Sequence, residues 1–193
     1  MSEGGKVLKR HAIFDDNRFY RYSLSRMWDD TKEKMVYIMI NPSVGDERVE
    51  DRTLDRCIQF ARDFGYGSLE VVNLFAMITT KPDVLKTVTK EVAIGPKNQY
   101  YIDRALSSAS LIVAAWGTNI IIHKRHRDVF DMFSEYTLHR LGPATKDGHP
   151  PHPLYLKKET QLTEHLPTRY ATQNRLNVAI KDAYTTRKQK NIL

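Results

Sequence analysis

Asn41, Asn73 and the pair His149 and His152 are the residues whose types and settings could do chemistry. Asn41 ends an apolar run over residues 35–40 and precedes Pro42 and Ser43. Its amide either bonds its own turn or faces a ligand or water from a rigid turn. A carboxamide is no strong base, but its carbonyl oxygen can orient a water. A reaction relying on it would draw its rate from positioning and electrostatics. Asn73 interrupts the largely apolar stretch 69–75. A buried amide is costly unless its donors and acceptor are used. It is either a core amide met by loop backbone or the reader of a pyrimidine or purine edge. His149 and His152 share a loop with Pro150, Pro151 and Pro153, and prolines hold a loop rigid. Two histidines three apart could pair on a metal, but no third ligand follows at metal spacing. An imidazole could stabilise developing negative charge, or merely pack in the loop.

Around these lie weaker candidates. Ser43 closes the first turn without the glycine elbow of a hydrolase nucleophile. Phe75 and Tyr155 could stack on a base, or belong to the core. Lys146, Lys157 and Lys158 flank the proline-rich loop and could meet backbone phosphates. Asp46, Glu47, Glu50, Asp51 and Asp55 follow the first turn; one could bind a water or cap a helix, the rest forming a solvated face. Trp116 reads as packing, the basic run 123–127 as a solvated helix face. Cys57 lies on an apolar helical stripe without a partner base and reads as inert. There is no phosphate-binding P-loop, dinucleotide fingerprint or metallohydrolase helix motif.

The elements that must position these residues alternate in type. Residues 18–28 read as a first edge strand. Residues 35–40 and 68–76 are apolar enough for strands buried on both faces, as are 111–116. Leu54, Cys57, Ile58, Ala61 and Phe64 form one stripe of a helix over 53–64, capped by Asp51 or Thr53. Residues 98–109 and 120–136 read as helices, 139–142 as one more short strand, and 161–167 and 169–183 as helical or irregular. Strands alternating with helices predict an α/β, three-layer α/β/α sandwich around a mostly parallel central sheet. Ligands in such sheets bind outside the carboxyl ends of the strands. Asn41, Asn73 and Trp116–Gly117 fall in or at such ends, and the site is expected between the first turn and the loop 148–155.

Length and composition allow one domain. The 193 residues suffice for a core, and 41% hydrophobic with 27% charged residues is ordinary for a globular chain. The expected organisation is a polar lead-in over 1–17, a single domain over 18–183 and a basic tail over 184–193. The single cysteine excludes an internal disulfide and a multi-thiolate metal site, and a reducing, cytoplasmic setting is expected. No run approaches the roughly 20 apolar residues a membrane span needs. A net charge of +7 favours a polyanionic partner: nucleic acid, DNA before RNA, or a nucleotide. A monomer is expected, a dimer remaining open, and no cofactor is called for.

Taken in order, Met39-Ile40-Asn41-Pro42-Ser43, residues 51–53 before a helix, Val72-Asn73-Leu74-Phe75, Ala114-Ala115-Trp116-Gly117 and 145–155 resemble the bacterial and phage family of domain of unknown function 1643, over roughly residues 18–167. The same order is more distantly similar to the uracil-DNA glycosylase superfamily. That resemblance implies a uracil-DNA-glycosylase-like fold and hydrolysis of an N-glycosidic bond in nucleic acid. In the mismatch-specific branch the first turn reads Gly-Ile-Asn-Pro-Gly, and the likeness gives Asn41 the water. It gives Asn73 the base edge. A thermophilic branch carries His-Pro-Ala-Tyr-Leu, similar to 152–156, and the likeness gives His152, not His149, the departing base. Here the turn ends in Ser43 instead of glycine, and Val44 stands where an aromatic usually stacks on the base. A nucleoside- or nucleotide-processing enzyme on free substrates and a non-catalytic nucleic-acid-binding module are the alternatives.

Overall fold

The computed structural model describes residues 9–43 and 51–165. Its strands are β1 (Lys9–Phe14), β2 (Arg21–Met27), β3 (Lys34–Met39), β4 (Ser68–Asn73), β5 (Leu111–Ala114), β6 (Leu138–Leu141) and β7 (Leu162–His165). The α-helices are α1 (Arg52–Asp63), α2 (Lys90–Ile94), α3 (Asn98–Ser107) and α4 (Arg125–Met132). The strands form one sheet in the order β1-β2-β4-β3-β5-β6-β7.

The apolar run of β3 is explained by cover on both faces. Side chains alternate across a strand, so Val36 and Ile38 enter one core with Ile102, Ala105 and Leu106 of α3 and Val129 of α4. Met35, Tyr37 and Met39 enter the other, with Leu54, Cys57, Ile58, Phe60 and Ala61 of α1. The inner strands are parallel, β4 to β3, β3 to β5 and β5 to β6. Crossovers between parallel strands are right-handed. The chain steps one way from β3 to β4 and the other way from β4 to β5 and β6, so α1 lies on one face and α3 and α4 on the opposite one. The direction reverses between β3 and β5, and a crevice opens where the chain parts company with itself.

The expected mostly parallel sheet is corrected to a mixed one. β1 with β2, β2 with β4 and β6 with β7 run antiparallel. For β1 and β2 the reason is local: only residues 15–20 join them, too short a connection for the crossover that parallel neighbours need. Residues 18–28 do not supply the edge. β1, within the polar lead-in, covers β2 and is the edge strand itself. Residues 162–165, expected helical or irregular, pair with β6 as β7. The helix expected over 120–136 is broken. Residues Thr118–Lys124 form 3-10 turns, and His123 and Lys124 adopt φ of 51° and 56° before α4 begins. Asp51 does cap α1, accepting the Leu54 N–H at 2.8 Å. The expectations for Val44, Asp46, Glu47, Glu50, 169–183 and the tail 184–193 lie outside the described residues.

Candidate functional site

At the carboxyl ends of β3, β4 and β5 lies a cavity of about 360 Å³, within the range of small-molecule sites. Asn41, Ser43, Asn73, His152 and Tyr155 line it together. The two segments expected to frame a cleft, the first turn and the late loop, both reach it.

Asn41 is held by its donors. Its Nδ2 donates to the carbonyls of Pro42 at 2.9 Å and Thr79 at 2.8 Å, and the Thr79 N–H returns to Pro42 O at 2.9 Å. With both amide hydrogens spent on backbone, what the side chain has left to offer is its carbonyl oxygen.

Asn73 is in the opposite condition. It is 1% exposed, and its Nδ2 has no hydrogen-bond partner among the described residues. Its backbone, by contrast, is held firmly. Where β4 leaves the ladder, buried Asn98 donates Nδ2 to Asn73 O at 2.9 Å and Leu74 O at 3.3 Å. Arg125 adds its Nε to Leu74 O at 3.2 Å. Asn98 and Arg125 thus fix the strand end that presents an unused amide to the cavity.

His152 is placed by main-chain contacts of the late loop. The Gly117 N–H donates to Pro150 O at 3.1 Å, and Arg56 of α1 donates to Leu156 O at 2.6 Å. The Leu154 N–H donates to His152 Nδ1 at 3.4 Å. Nδ1 therefore acts as acceptor, and the neutral ring carries its proton on Nε2, as a donor. Burial lowers the His152 pKa, while the Asp51 carboxylate works against that shift. Tyr155, 83% exposed, stands at the rim with its ring 5.8 Å from that of His152.

Among the described lining residues, Arg21 and Asp51 carry formal charge. Asp51 accepts the Ser43 hydroxyl at 2.8 Å besides capping α1. Arg21 reaches the cavity through a bulge: Ile13 faces Ser23 while Phe14 faces Arg21. Tyr22 is the extra residue, stacked on Tyr101 of α3 at 4.9 Å. Arg21 and Leu24, three apart, would point to opposite faces of a regular strand, and the bulge brings both to the cavity. Trp116 also borders it, with a buried indole N–H that meets no acceptor among the described residues.

Several candidates stand elsewhere. Phe75 lies in the core on the α3 face, its ring 6.0 Å from that of His123. The chain bends after Asn73, and the Phe75 N–H donates to Ile40 O at 2.9 Å. His149 is buried, its backbone N–H held by Thr145 Oγ1 at 3.1 Å. Burial lowers its pKa, and it does not line the cavity. Lys146, Lys157 and Lys158 are exposed and outside the lining. Cys57, by contrast, is part of the cavity lining, fully buried, and burial keeps its thiol protonated. Among the described residues no group of three or more His, Cys, Asp or Glu could hold a metal ion, and no helix is long and apolar enough to cross a membrane.

Arg21 and Asn98 escaped sequence reasoning, and Arg125, read as part of a solvated helix face, is instead 5% exposed. A bulge leaves no mark in a polar-apolar pattern, and a side chain that caps another strand's carbonyls has no local signature. Asp51 was visible as a cap but not as a cavity residue.

No curated protein and no solved structure matches the chain. The family model described as "Protein of unknown function (DUF1643)" matches residues 21–154.

Proposed function

The chain belongs to the DUF1643 family, and for this member we propose a glycosylase-like hydrolase that cleaves the N-glycosidic bond of a damaged or modified base in nucleic acid. The observation that carries this reading is the Asn73 amide, buried, unpaired and lining one cavity with Asn41 and His152. An orphaned buried amide is retained against a stability penalty when a ligand completes it. The side-by-side donor and acceptor of a carboxamide match the amide edge of a pyrimidine. The likeness to the uracil-DNA glycosylase superfamily in the sequence supports the same roles.

In this mechanism the base is flipped from the stack into the cavity. Asn41 Oδ1 orients a water below C1′. The water oxygen bonds to C1′ as the C1′–N bond breaks, and that electron pair leaves on the base nitrogen. The His152 Nε2–H donates to the resulting anion. Asp51 stabilises the positive charge that develops on the sugar and receives the proton released by the water. Tyr155 at the rim stacks on the flipped base or its neighbour.

The test is incubation of the protein with single- and double-stranded DNA carrying a panel of damaged and modified bases, with abasic product scored. Wild-type protein yields abasic sites on at least one substrate, and Asn41→Ala lowers the rate about 100-fold or more. Absence of product on every substrate, or equal rates from the variant, refutes the mechanism.

A further inference from the structure

Arg125 does not line the cavity, yet it is 5% exposed and set against the strand end that carries Asn73. A buried guanidinium is costly unless its charge and its donors are answered. Here a chain of contacts answers both. Lys90, at the start of α2, and Arg125, at the start of α4, both donate to Asp128 Oδ2, at 2.6 and 2.9 Å. Burial opposes the Asp128 charge, but the two cationic donors outweigh it and hold its pKa low. Arg125 Nε donates to Leu74 O at 3.2 Å, and the guanidinium lies 5.9 Å from the centre of the Phe75 ring.

The backbone accepts strain just before Arg125. His123 and Lys124 both hold left-handed φ, of 51° and 56°, which residues with a Cβ disfavour. Such residues persist where the surrounding structure over-determines them. The His123 ring meets Leu85 O at 2.7 Å, and Arg125 is tied to Leu74 and Asp128 on the other side of the kink.

What Arg125 holds is the second of the two peptide planes that follow Asn73. In the first, Asn73 O accepts from Asn98 at 2.9 Å and the Leu74 N–H donates to Met39 O at 2.9 Å. In the second, the Phe75 N–H donates to Ile40 O at 2.9 Å, and Leu74 O takes Arg125 together with the longer Asn98 contact at 3.3 Å. Peptide planes are rigid, so with both held the chain cannot pivot about Leu74, and Asn73 keeps one pose at the cavity.

We infer that Arg125 is a positioning residue for the Asn73 amide, with Lys90 and Asp128 holding the guanidinium that holds the strand end. The role rests on the nucleobase reading of Asn73 and deepens it: α2 and α4, which do not line the cavity, set how well the cavity grips a base.

The experiment is heteronuclear NMR spectroscopy of the full chain. It follows the side-chain amide pair of Asn73, alone and on titration with 2′-deoxyuridine and thymidine as probe nucleosides, with melting temperatures measured alongside. Wild type shows one sharp pair that shifts with the probes. In Arg125→Met the pair broadens or doubles in the free protein, and probe affinity falls about 10-fold, the equivalent of one hydrogen bond. Val129→Ala opens a cavity on the same helix, at a residue 2% exposed, and lowers the melting temperature. It leaves the Asn73 pair and the affinity as in wild type, which separates positioning from plain loss of stability. Arg125→Lys, whose single ammonium does not reproduce the fork to Leu74 O and Asp128, gives a smaller change in the same direction and decides the matter if the methionine variant does not fold. Wild-type behaviour of the pair and the affinity in the folded arginine variants, or the same change in Val129→Ala, overturns the proposal. If neither probe shifts the pair in wild type, the nucleobase reading of Asn73 falls, while the pair in the free protein still reads the role of Arg125.

Discussion

Asn73 and Asn98 are both 1% exposed amides at the same strand end, and they should respond in opposite ways to the same substitution. Asn98 spends its Nδ2 on two backbone carbonyls, although its Oδ1 meets no donor among the described residues; the Nδ2 of Asn73 goes unused. Leucine is close to asparagine in size and carries no polar atoms. A buried unsatisfied group costs about 1–3 kcal/mol. Asn73→Leu removes that penalty and adds apolar contact, so it should stabilise the fold by about 1–3 kcal/mol. For a chain of this length the melting temperature rises by about 2–4 °C per kcal/mol. Asn98→Leu strips the donor from Asn73 O and leaves Leu74 O to Arg125 alone, and should destabilise by about 1–3 kcal/mol. Urea and thermal unfolding of the three proteins read both effects. Base release, or binding of the probe nucleosides, is lost in Asn73→Leu despite the firmer fold, the signature of a residue kept for its ligand. If Asn73→Leu is less stable than wild type by 1 kcal/mol or more, its amide is already satisfied and the case for a ligand there collapses.

Two further predictions concern charge. Asp51→Ala loses the cap of α1 and should cost about 1 kcal/mol, whereas Asp51→Asn keeps a capping oxygen and should melt close to wild type. The asparagine variant removes the charge opposing the effect of burial on His152, so the imidazole resonances of His152 should titrate at lower pH. An unchanged titration would show that the carboxylate does not sense the ring. The second concerns His165, whose pKa is lowered to about 4 by burial, with Arg140 and His149 adding to the shift. Its ring is neutral in the native state, and below its ordinary pKa of 6.5 the unfolded chain takes up a proton that the folded chain refuses. Stability should therefore fall as pH drops from about 6.5 to about 4, by on the order of 3 kcal/mol from this residue. Urea midpoints across that range should flatten by this amount in His165→Gln. Parallel curves for the two proteins would rule the assignment out.

What was legible in the sequence was what repeats. The apolar run before Asn41, the stripe of α1 and the run of β5 each announced an element, because burial on two faces or one leaves a period. Asn41 and Asn73 were legible because a polar residue at the end of an apolar run demands a reason. His149 and His152 could not be told apart from the residues alone, since both sit among prolines. The resemblance preferred His152, and the fold places that residue in the cavity lining while burying His149 away from it. Phe75 could not be placed because one residue of bend after Asn73 exchanges the faces of the sheet. The break at His123 and Lys124 was hidden because non-glycine residues held at positive φ look like ordinary helix formers. Arg21 was hidden because its orientation depends on one unpaired residue in a neighbouring register.

The late loop is anchored through Pro150 O and Leu156 O, two main-chain oxygens that would be present whatever side chains stood there. The donors that receive them, Gly117 N and Arg56, belong to the framework. Where the loop sits is thus largely independent of what the loop displays. Relatives could exchange His149, His152 or Tyr155 and acquire another substrate preference without repacking the sheet. Divergence of specificity in this family would then show as loop variation over a constant pair of anchor donors.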